Sequence, residues 1–576
     1  MGRARKLPFA LRAAVHSALR RVADLQAPCP AGRRRDVLDA SWRVIGASRT
    51  ALWPAALGPE ARLVAGKVEN LRVATARLGR RELAAGQVFS FWRHVGRPSR
   101  RAGFVIGREL REGCLVPSVG GGLCQLSNAL YDAALSAGLT IVERHAHSAV
   151  VAGSLAERGR DATVFFPYVD LRFTAPFPYA VEARMSADEL VVEIFARSGR
   201  ARRAAPRASR CVERASEGIG SCHSCGVARC SSYAPALAGG PRGETAFLLD
   251  RWTPEHDAWV SARRREGDLL FIPADGGRRG RASYRWATEG FAEVREHLAV
   301  TLARALASRR LAEQGAQRQR ALLSYDARLA AAMARGLDPG VRHLVVQQTL
   351  LPHLERLGAL GGRTVDVLAT RLPLAALHAR LDAAARRHPR SPTIADFRAP
   401  AALVEAERRA LTRAARVVTP HAEIARCVGP RVERVAWARS VLPPADRGAY
   451  VVTLGPIAAR RGALELREAL RGLGATLRVT GRDLEGGFDF GVPLAPPSHD
   501  PLAGARVVVA PAWVEHEPRA LLSALDRGVP VIASRACGLG ALEGVTEIAP
   551  GDVAGLRAAL CAHLEGRPGA QREARR

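Results

Sequence analysis

Three consecutive glycines followed closely by a cysteine constrain this chain more than any other feature. The run Gly120–Gln125 reads Gly-Gly-Gly-Leu-Cys-Gln, and an apolar pattern with helical spacing starts there and stops at Gly138. Glycine adopts backbone conformations closed to other residues, so the run predicts a tight turn. A helix that begins there directs its free N–H groups and positive dipole end at Cys124. That environment predicts a nucleophile or a metal ligand, although a small buried cysteine in a tight turn also fits.

Histidines and acids follow the predicted helix. His145 and His147 lie two residues apart, and either imidazole can act as a general base toward the thiol. Asp161 or Asp170 then orients the imidazole, as in a catalytic triad, while backbone N–H groups of the turn hold a developing oxyanion. The predicted catalytic residues are Cys124, His145, His147, Asp161 and Asp170, and the predicted substrate and oxyanion residues are Gly120, Gly121, Gly122 and Gln125.

Seven ordered motifs between residues 62 and 197 resemble those of the VanW family, named after an accessory protein of vancomycin-resistance gene clusters. They are Gly66–Leu71, Gly86–Phe91, Val95–Gly96, Gly120–Gln125, Glu143–Ser148, Gly159–Val164 and Asp170–Phe173. The resemblance implies an α+β VanW-like domain. VanW-like domains have been linked to peptidoglycan cross-linking of the L,D-transpeptidase type, so the resemblance also implies a cysteine acyl-transferase acting on cell-wall peptide.

Composition and charge limit the classes of binding partner that this chain can have. The 576 residues exceed what one hydrophobic core serves, and 48% hydrophobic with 24% charged residues predicts a globular chain. The net charge of +31 favours an anionic partner such as a lipid headgroup, a sugar nucleotide or an envelope polymer. Nucleic acid is the weakest candidate, because aromatic residues are few and no nucleic-acid motif is recognisable. A basic surface without a particular partner is the alternative.

The first 25 residues are basic and place Leu11, Val15, Leu19, Val22 and Leu25 on one helical face. They contain no continuous apolar segment of the secretory type, and no stretch of the chain reaches the roughly 18 apolar residues that span a bilayer. We therefore expect a cytoplasmic protein. The helix either lies on the inner face of the membrane or packs on the domain that follows.

A cysteine cluster predicts a second site. Its Cys-x-x-Cys pair, followed by Gly226, matches a metal-binding knuckle, and His223 can replace one ligand. Structural Zn²⁺ or an iron–sulfur cluster fits four thiolates. Two disulfides or unligated thiols are the alternatives, and a reducing compartment favours metal. The predicted ligands are Cys211, Cys222, Cys225 and Cys230.

The pattern divides the chain into five parts. They are a basic extension over 1–60, the VanW-like domain over 61–198, a linker with the cysteine cluster over 199–245, and two α/β lobes over 246–438 and 439–570. Short apolar runs alternate with Ala/Leu/Arg helices from Phe247 onward, which predicts Rossmann-like parallel sheets. Strands are predicted at 269–272, 343–346, 365–368, 417–418, 450–455, 476–480, 506–511 and 529–534.

The last lobe resembles the donor-binding domain of GT-B glycosyltransferases. The segment from Pro511 to Ala533 resembles their donor-binding segment, with Glu515 as the first of two family glutamates and Ser523 where the second belongs. Gly455 and Arg461-Gly462 resemble the phosphate-clamping segment, although Pro456 removes one cation of that pattern. The resemblance implies a sugar nucleotide at Gly455, Arg461, Glu515 and Ser523.

Three functions stay open from the sequence. The first is a cysteine acyl-transferase in envelope biosynthesis or glycopeptide response. The second is a cytoplasmic GT-B glycosyltransferase that uses a sugar nucleotide for an envelope polymer. The third is a non-catalytic scaffold or metal-binding protein, in which Cys124, His145 and His147 ligate a metal or build a core turn. An envelope precursor or polysaccharide is the expected partner in each case.

Overall fold

The computed structural model describes residues 9–26, 29–54, 60–111, 114–147, 149–197, 220–221, 243–311, 315–394 and 397–565. These residues form an N-terminal α+β unit and two α/β lobes. The N-terminal helices are α1 (Phe9–Gln26), α2 (Ala61–Leu78), α3 (Phe91–Val95) and α4 (Cys124–Ser136). The N-terminal strands are β1 (Arg33–Arg34), β2 (Trp42–Ala51), β3 (Arg80–Leu83), β4 (Phe89–Ser90), β5 (Ile106–Arg111), β6 (Cys114–Val119), β7 (Thr140–Glu143), β8 (Arg172–Thr174), β9 (Tyr179–Met185), β10 (Glu189–Arg197) and β11 (Gly220–Ser221).

Three sheets build the N-terminal unit. The largest is antiparallel in the order β1-β3-β9-β10-β2, and α2 and α4 bury Leu71 and Leu126 in its core. The others have the orders β11-β6-β5 and β4-β8-β7. Strands β9 and β10 pair with each other along Leu190–Ala196. Strand β2 falls inside the segment predicted as a basic extension, yet it forms the edge of the large sheet, so residues 42–51 belong to this unit.

The first α/β lobe has seven parallel strands. They are β12 (Thr245–Leu248), β13 (Leu269–Ile272), β14 (Glu293–Glu296), β15 (His343–Gln347), β16 (Thr364–Leu368), β17 (Arg416–Thr419) and β18 (Val432–Arg434). Its helices are α5 (Pro254–Arg263), α6 (Leu298–Arg309), α7 (Ala316–Gly336), α8 (Leu351–Arg356), α9 (Leu374–Arg387), α10 (Ala401–Arg413) and α11 (Ala422–Val428). The order β14-β13-β12-β15-β16-β17-β18 begins with the 3-2-1-4-5-6 order of a Rossmann sheet.

The second α/β lobe has five parallel strands. They are β19 (Arg447–Thr453), β20 (Leu477–Val479), β21 (Ala505–Ala510), β22 (Val531–Ser534) and β23 (Val545–Ile548), with helices α12 (Ala463–Leu470), α13 (Arg519–Asp526) and α14 (Val553–Glu565). The order β20-β19-β21-β22-β23 is the other common doubly wound order, 2-1-3-4-5. The predicted class, an α+β unit followed by two Rossmann-like lobes, is confirmed by these sheets.

Polar contacts join the three parts. Arg72 of α2 donates from Nε to the Gly361 carbonyl at 2.5 Å, which ties the N-terminal unit to the first lobe. Arg519 of α13 pairs with Glu255 of α5, which ties the two lobes across a cleft of about 700 Å³. Within the described ranges, no helix combines the length and apolarity that crossing a bilayer requires.

Candidate active site

A cavity of about 350 Å³ lies beside the N-terminus of α4. The glycine turn forms one wall, α2 lies beneath it, and the segment 163–166 forms the opposite wall. Cys124, His147 and Thr163 line the cavity together with the buried Lys67. The turn, the thiol and one of the two candidate imidazoles therefore face a single space.

Backbone conformation and close packing explain the three glycines. Gly120 and Gly122 have φ angles of 83° and 99°, in the left-handed region that favours glycine. A Cβ on Gly121 would lie 2.6 Å from the carbonyl carbon of Gly107, and a Cβ on Gly122 would lie 2.2 Å from Lys67 Cγ. The turn is thus pressed between β5 and α2 with no room for a side chain.

Cys124 is the first residue of α4, as the apolar pattern predicts. The residue is half-buried, and its Sγ lies 3.7 Å from Thr163 Oγ1. Burial by itself opposes ionisation of the thiol. Hydrogen bonding and positive charge from His147, with smaller contributions from the Val164 backbone and Thr163, outweigh burial and hold the pKa of Cys124 below its usual value.

His147 is held by Asp161 through two contacts. The His147 backbone N–H donates to Asp161 Oδ2 at 2.6 Å, and its ring Nδ1 contacts Asp161 Oδ1. Burial lowers the pKa of His147, but Asp161 and the Cys124 thiolate raise it to about 10. His147 in return outweighs the burial of Asp161 and lowers the pKa of that carboxyl. The three side chains lie in series, and these shifts favour the thiolate, imidazolium and carboxylate forms.

Helix α4 itself positions the segment that carries Asp161. Ser127 Oγ donates to the Ala162 carbonyl at 2.5 Å, and Asn128 Oδ1 accepts from the Ala162 N–H at 2.7 Å. The Thr163 N–H then donates to the His145 carbonyl at 2.9 Å, which brings the histidine segment alongside. One helix therefore sets the thiol and the backbone beside its carboxylate partner.

His145 and Asp170 lie in a different cluster. His145 is about half exposed and its Nε2 lies 3.2 Å from Glu143 Oε1. Asp170 is buried and accepts from Ser90 Oγ at 2.6 Å and from Arg172 Nε at 2.9 Å, which links β4 to β8. Of the alternatives left open by the sequence, the structure brings His147 and Asp161 to the thiol and does not bring His145 or Asp170.

Gln125 uses its amide group to join α4 to β2. Its Nε2 donates to Thr50 Oγ1 at 2.9 Å and to the Ala51 carbonyl at 2.7 Å. Its Oε1 is buried and has no hydrogen-bond partner among the described residues, and the residue lines the cavity. Because both N–H groups are engaged, Gln125 is a candidate acceptor for a substrate N–H rather than an oxyanion donor.

The part of the chain that carries this site is similar to a described family. Residues 66–195 match the family described as VanW like protein, and this span includes the turn, the cysteine, His147 and Asp161. Residues 66–195 form a VanW-like domain. The chain is 30% identical over 138 residues to the vancomycin B-type resistance protein VanW of Enterococcus faecalis (strain ATCC 700802 / V583), and 30% identical over 128 residues to the uncharacterized protein YoaR of Bacillus subtilis (strain 168).

These two matches are local. They cover 23% and 22% of this chain, and the chain spans 49% of VanW and 42% of YoaR. Among solved structures, sucrose-phosphate synthase from Thermosynechococcus elongatus is 14% identical with a TM-score of 0.35, over 56% of this chain and 90% of that protein. Because this TM-score is below 0.5, the match does not support the two-lobed α/β assignment. That assignment rests on the strand orders of the two sheets.

Two buried residues of the VanW-like domain complete the site and were not singled out from the sequence. Asn70 Nδ2 donates to the Gly121 carbonyl at 2.9 Å, and its Oδ1 accepts from the Val105 N–H at 2.8 Å, so Asn70 fixes the turn from below. Lys67 is 2% exposed beneath Gly122. Both belong to the motif Gly66–Leu71, where a lysine and an asparagine three apart on an apolar helix were the available signal.

Metal ligation has no support in the described part of the chain. No group of three or more His, Cys, Asp or Glu residues there is arranged to hold a metal ion. His145 points to Glu143 rather than to the thiol, so Cys124, His145 and His147 do not form the predicted ligand set. The four cysteines predicted as a metal knuckle, Cys211, Cys222, Cys225 and Cys230, lie outside the described residues.

The predicted sugar-nucleotide residues lie in the second α/β lobe. Gly455 follows β19 with a φ of 90°, and a Cβ there would lie 3.1 Å from Arg461 Nη1. Arg461 Nη1 lies 2.7 Å from Glu515 Oε2 on the loop after β21. Ser523 lies on α13 and lines the cleft between the lobes. The first three residues therefore meet at the strand-order reversal between β19 and β21.

Proposed function

We propose that the VanW-like domain is a cysteine-dependent acyl-transferase of the L,D-transpeptidase type, acting in envelope biosynthesis or glycopeptide response. The observation that carries the proposal is the Cys124–His147–Asp161 series on a cavity wall. A thiolate beside an imidazolium is the activated form of a cysteine nucleophile. An apolar pair of side chains would fill a structural turn equally well, so the ionised pair indicates a chemical role.

The reaction follows from the protonation states. The Cys124 thiolate attacks an amide carbonyl carbon, and the carbonyl π electrons move to the oxygen. When the tetrahedral intermediate collapses, the C–N bond breaks and His147 gives its proton to the departing amine. A second amine then attacks the thioester, passes a proton to His147 and releases the thiolate. Bonds, protons and electrons balance without a further reactant, and Asp161 keeps the imidazole oriented throughout.

The cavity supplies groups for binding as well as for chemistry. The backbone N–H groups of Gly120, Gly121 and Gln125, which the sequence predicted as oxyanion donors, already donate to the carbonyls of Val105, Ser118 and Gly122. The N–H groups of Leu123 and Cys124 at the start of α4 are therefore the candidate oxyanion donors. Gln125 lines the cavity, and its amide oxygen is the candidate acceptor for a substrate N–H. These features suit a short peptide.

We assign an envelope precursor or envelope polysaccharide as the partner. We place the reaction on the cytoplasmic side, with peripheral contact to the inner face of the membrane. A precursor assembled on that face before export supplies both the amide and the acceptor amine, so the assignment does not require an exported protein.

Alkylation and acyl capture test the proposal. Iodoacetamide should modify Cys124 well below pH 8, and a thioester analogue of a cell-wall stem peptide should leave an acyl group on Cys124, read by peptide mass spectrometry. Cys124→Ser should abolish both signals, whereas Cys427→Ser, at an exposed cysteine of α11, should keep both. A wild-type Cys124 that reacts only above pH 9 and takes no acyl group would overturn the proposal.

A second candidate function is glycosyl transfer by the two α/β lobes. Ligands of doubly wound sheets bind at the carboxyl edge where the strand order reverses, and Gly455, Arg461 and Glu515 meet at that point. A sugar nucleotide there would pair its phosphates with Arg461. A nucleotide-sugar panel should raise the melting temperature of the wild type and not of Arg461→Ala, while Arg467→Ala on α12 should behave as wild type. No shift with any nucleotide would discard this candidate.

A further inference from the structure

Helix α1 lies on the VanW-like domain with its polar side inward. Arg20 Nη2 donates to both carboxylate oxygens of Glu143 at 2.7 and 2.6 Å. Asp24 accepts from Arg172 Nη2 at 2.5 Å, and His16 stacks on Tyr168 with ring centroids 5.3 Å apart. His16, Arg20 and Asp24 are four residues apart and share one helix face. This is the reverse of the usual arrangement, in which a surface helix buries its apolar side.

The opposite side of α1 is an exposed apolar stripe. Val15, Leu19, Val22 and Leu25 follow at intervals of four, three and three residues, and their exposed fractions are 49%, 61%, 53% and 83%. Arg21 is also exposed on this helix. The ion pairs with Glu143 and Arg172 fix the rotation of the helix, so the stripe stays outward.

We propose that this stripe docks the protein on an anionic lipid surface. An amphipathic helix that lies in the interface buries its apolar side at the headgroup boundary and is held by attraction to anionic lipid. The chain carries a net charge of +31, which favours an anionic surface over a neutral one. Because the ion pairs hold α1 along the domain, its 18 residues would lie parallel to the lipid surface.

The docked helix sets the position of the cavity relative to the bilayer. Glu143, which Arg20 clamps, precedes His147 by four residues, and Tyr168 packs against Phe165 on the cavity wall. Lipid docking through α1 would hold the Cys124 cavity close to the headgroup layer, where lipid-linked envelope precursors lie. Only this consequence rests on the proposed acyl-transfer function; lipid docking stands without it.

Vesicle sedimentation tests the inference with the full chain. The wild type should sediment with phosphatidylglycerol vesicles at least tenfold more than with phosphatidylcholine vesicles, and 0.5 M NaCl should weaken the binding. Leu19→Glu and Val22→Glu should each reduce binding at least tenfold. Leu306→Glu should not, although it introduces the same charge at a leucine that is 57% exposed on α6.

Three outcomes would overturn the inference. The first is a wild type that binds anionic and neutral vesicles equally. The second is wild-type binding by the two α1 variants, and the third is loss of binding in Leu306→Glu but not in the α1 variants. A wild type that is dimeric without lipid and becomes monomeric in Leu19→Glu would assign the stripe to self-association. Alkylation of Cys124 is measured separately in each variant. It tests the proposed acyl transfer, whose failure would leave vesicle binding unchanged.

Discussion

Replacing Asp161 by asparagine should shift the Cys124–His147 pair away from thiolate and imidazolium and toward the neutral thiol and imidazole. The pKa of His147 lies at about 10 against an ordinary 6.5, with the side chain only 11% exposed, which corresponds to about 5 kcal/mol in favour of the imidazolium. Asp161 and the thiolate share this stabilisation. If the carboxylate supplies about half, its loss lowers the pKa of His147 by roughly 1.7 units, which shifts the equilibrium between the thiolate–imidazolium pair and the neutral thiol–imidazole pair about 50-fold toward the neutral pair.

The consequence for Cys124 has a definite sign. Without the cation, burial dominates and raises the pKa of the thiol. The wild-type rate of alkylation should therefore stay nearly constant from pH 6.5 to 9, whereas the Asp161→Asn rate should rise about tenfold per pH unit over that range. At pH 7 the variant should react more slowly, by a factor of up to about 50.

The assay is the iodoacetamide rate of the Cys124 peptide, followed by mass spectrometry from pH 5 to 10. His145→Gln is the matched control, because His145 is exposed and bonded to Glu143, and its profile should overlay the wild type. Stability supplies a second readout. A raised histidine pKa stabilises the fold fully below pH 6.5, and this contribution is lost as pH rises through about 10. Identical alkylation profiles for wild type and Asp161→Asn would refute the reasoning.

Two further predictions concern stability, measured by urea unfolding. Glu69→Gln leaves Arg72 and Arg363 buried without the carboxylate that they share, so it should destabilise the joint between the VanW-like domain and the first lobe by about 3–5 kcal/mol. A loss under about 1 kcal/mol would contradict this account. Gly122→Ala should cost clearly more than Gly138→Ala, because both sites have positive φ but only the first lacks space for a Cβ. Equal costs, about 1–2 kcal/mol each, would leave backbone strain as the whole effect.

Local patterns in the sequence predict the element that carries the thiol but not its partners. The apolar spacing after the glycine run predicts α4 from Cys124 onward, and the structure has it there. The choice between His145 and His147 depends on how residues 161–163 lie on α4. That contact is made by Asn128 and the backbone of Ala162, 34 residues apart in sequence, and no local period encodes it.

The parallel strands could be predicted where the apolar runs are continuous. Some short strands and strands with polar residues were missed. Strands β13, β15, β16, β21 and β22 follow the predicted runs closely, because buried parallel strands are apolar on both faces. Strand β12 has four residues at the end of a polar segment and was not predicted, although it lies inside the sheet between β13 and β15. Strand β2 was assigned to the extension because its sequence does not alternate regularly between apolar and polar residues. The boundaries at residues 198, 245 and 438 stay predictions.

Helix α2 explains why the cavity and the joint to the first lobe occur together. Lys67 and Asn70 face the glycine turn, whereas Glu69 and Arg72, on another side of the same helix, face Gly361 and Arg363 of the first lobe. The helix is nearly enclosed: twelve of its residues are buried. Packed cores resist small changes of shape. A displacement of the first lobe at one face of α2 should therefore be passed by this rigid helix to the glycine turn at its other face. The α/β lobes therefore support the floor of the thiolate site, and they do so through the motif that opens the VanW-like domain.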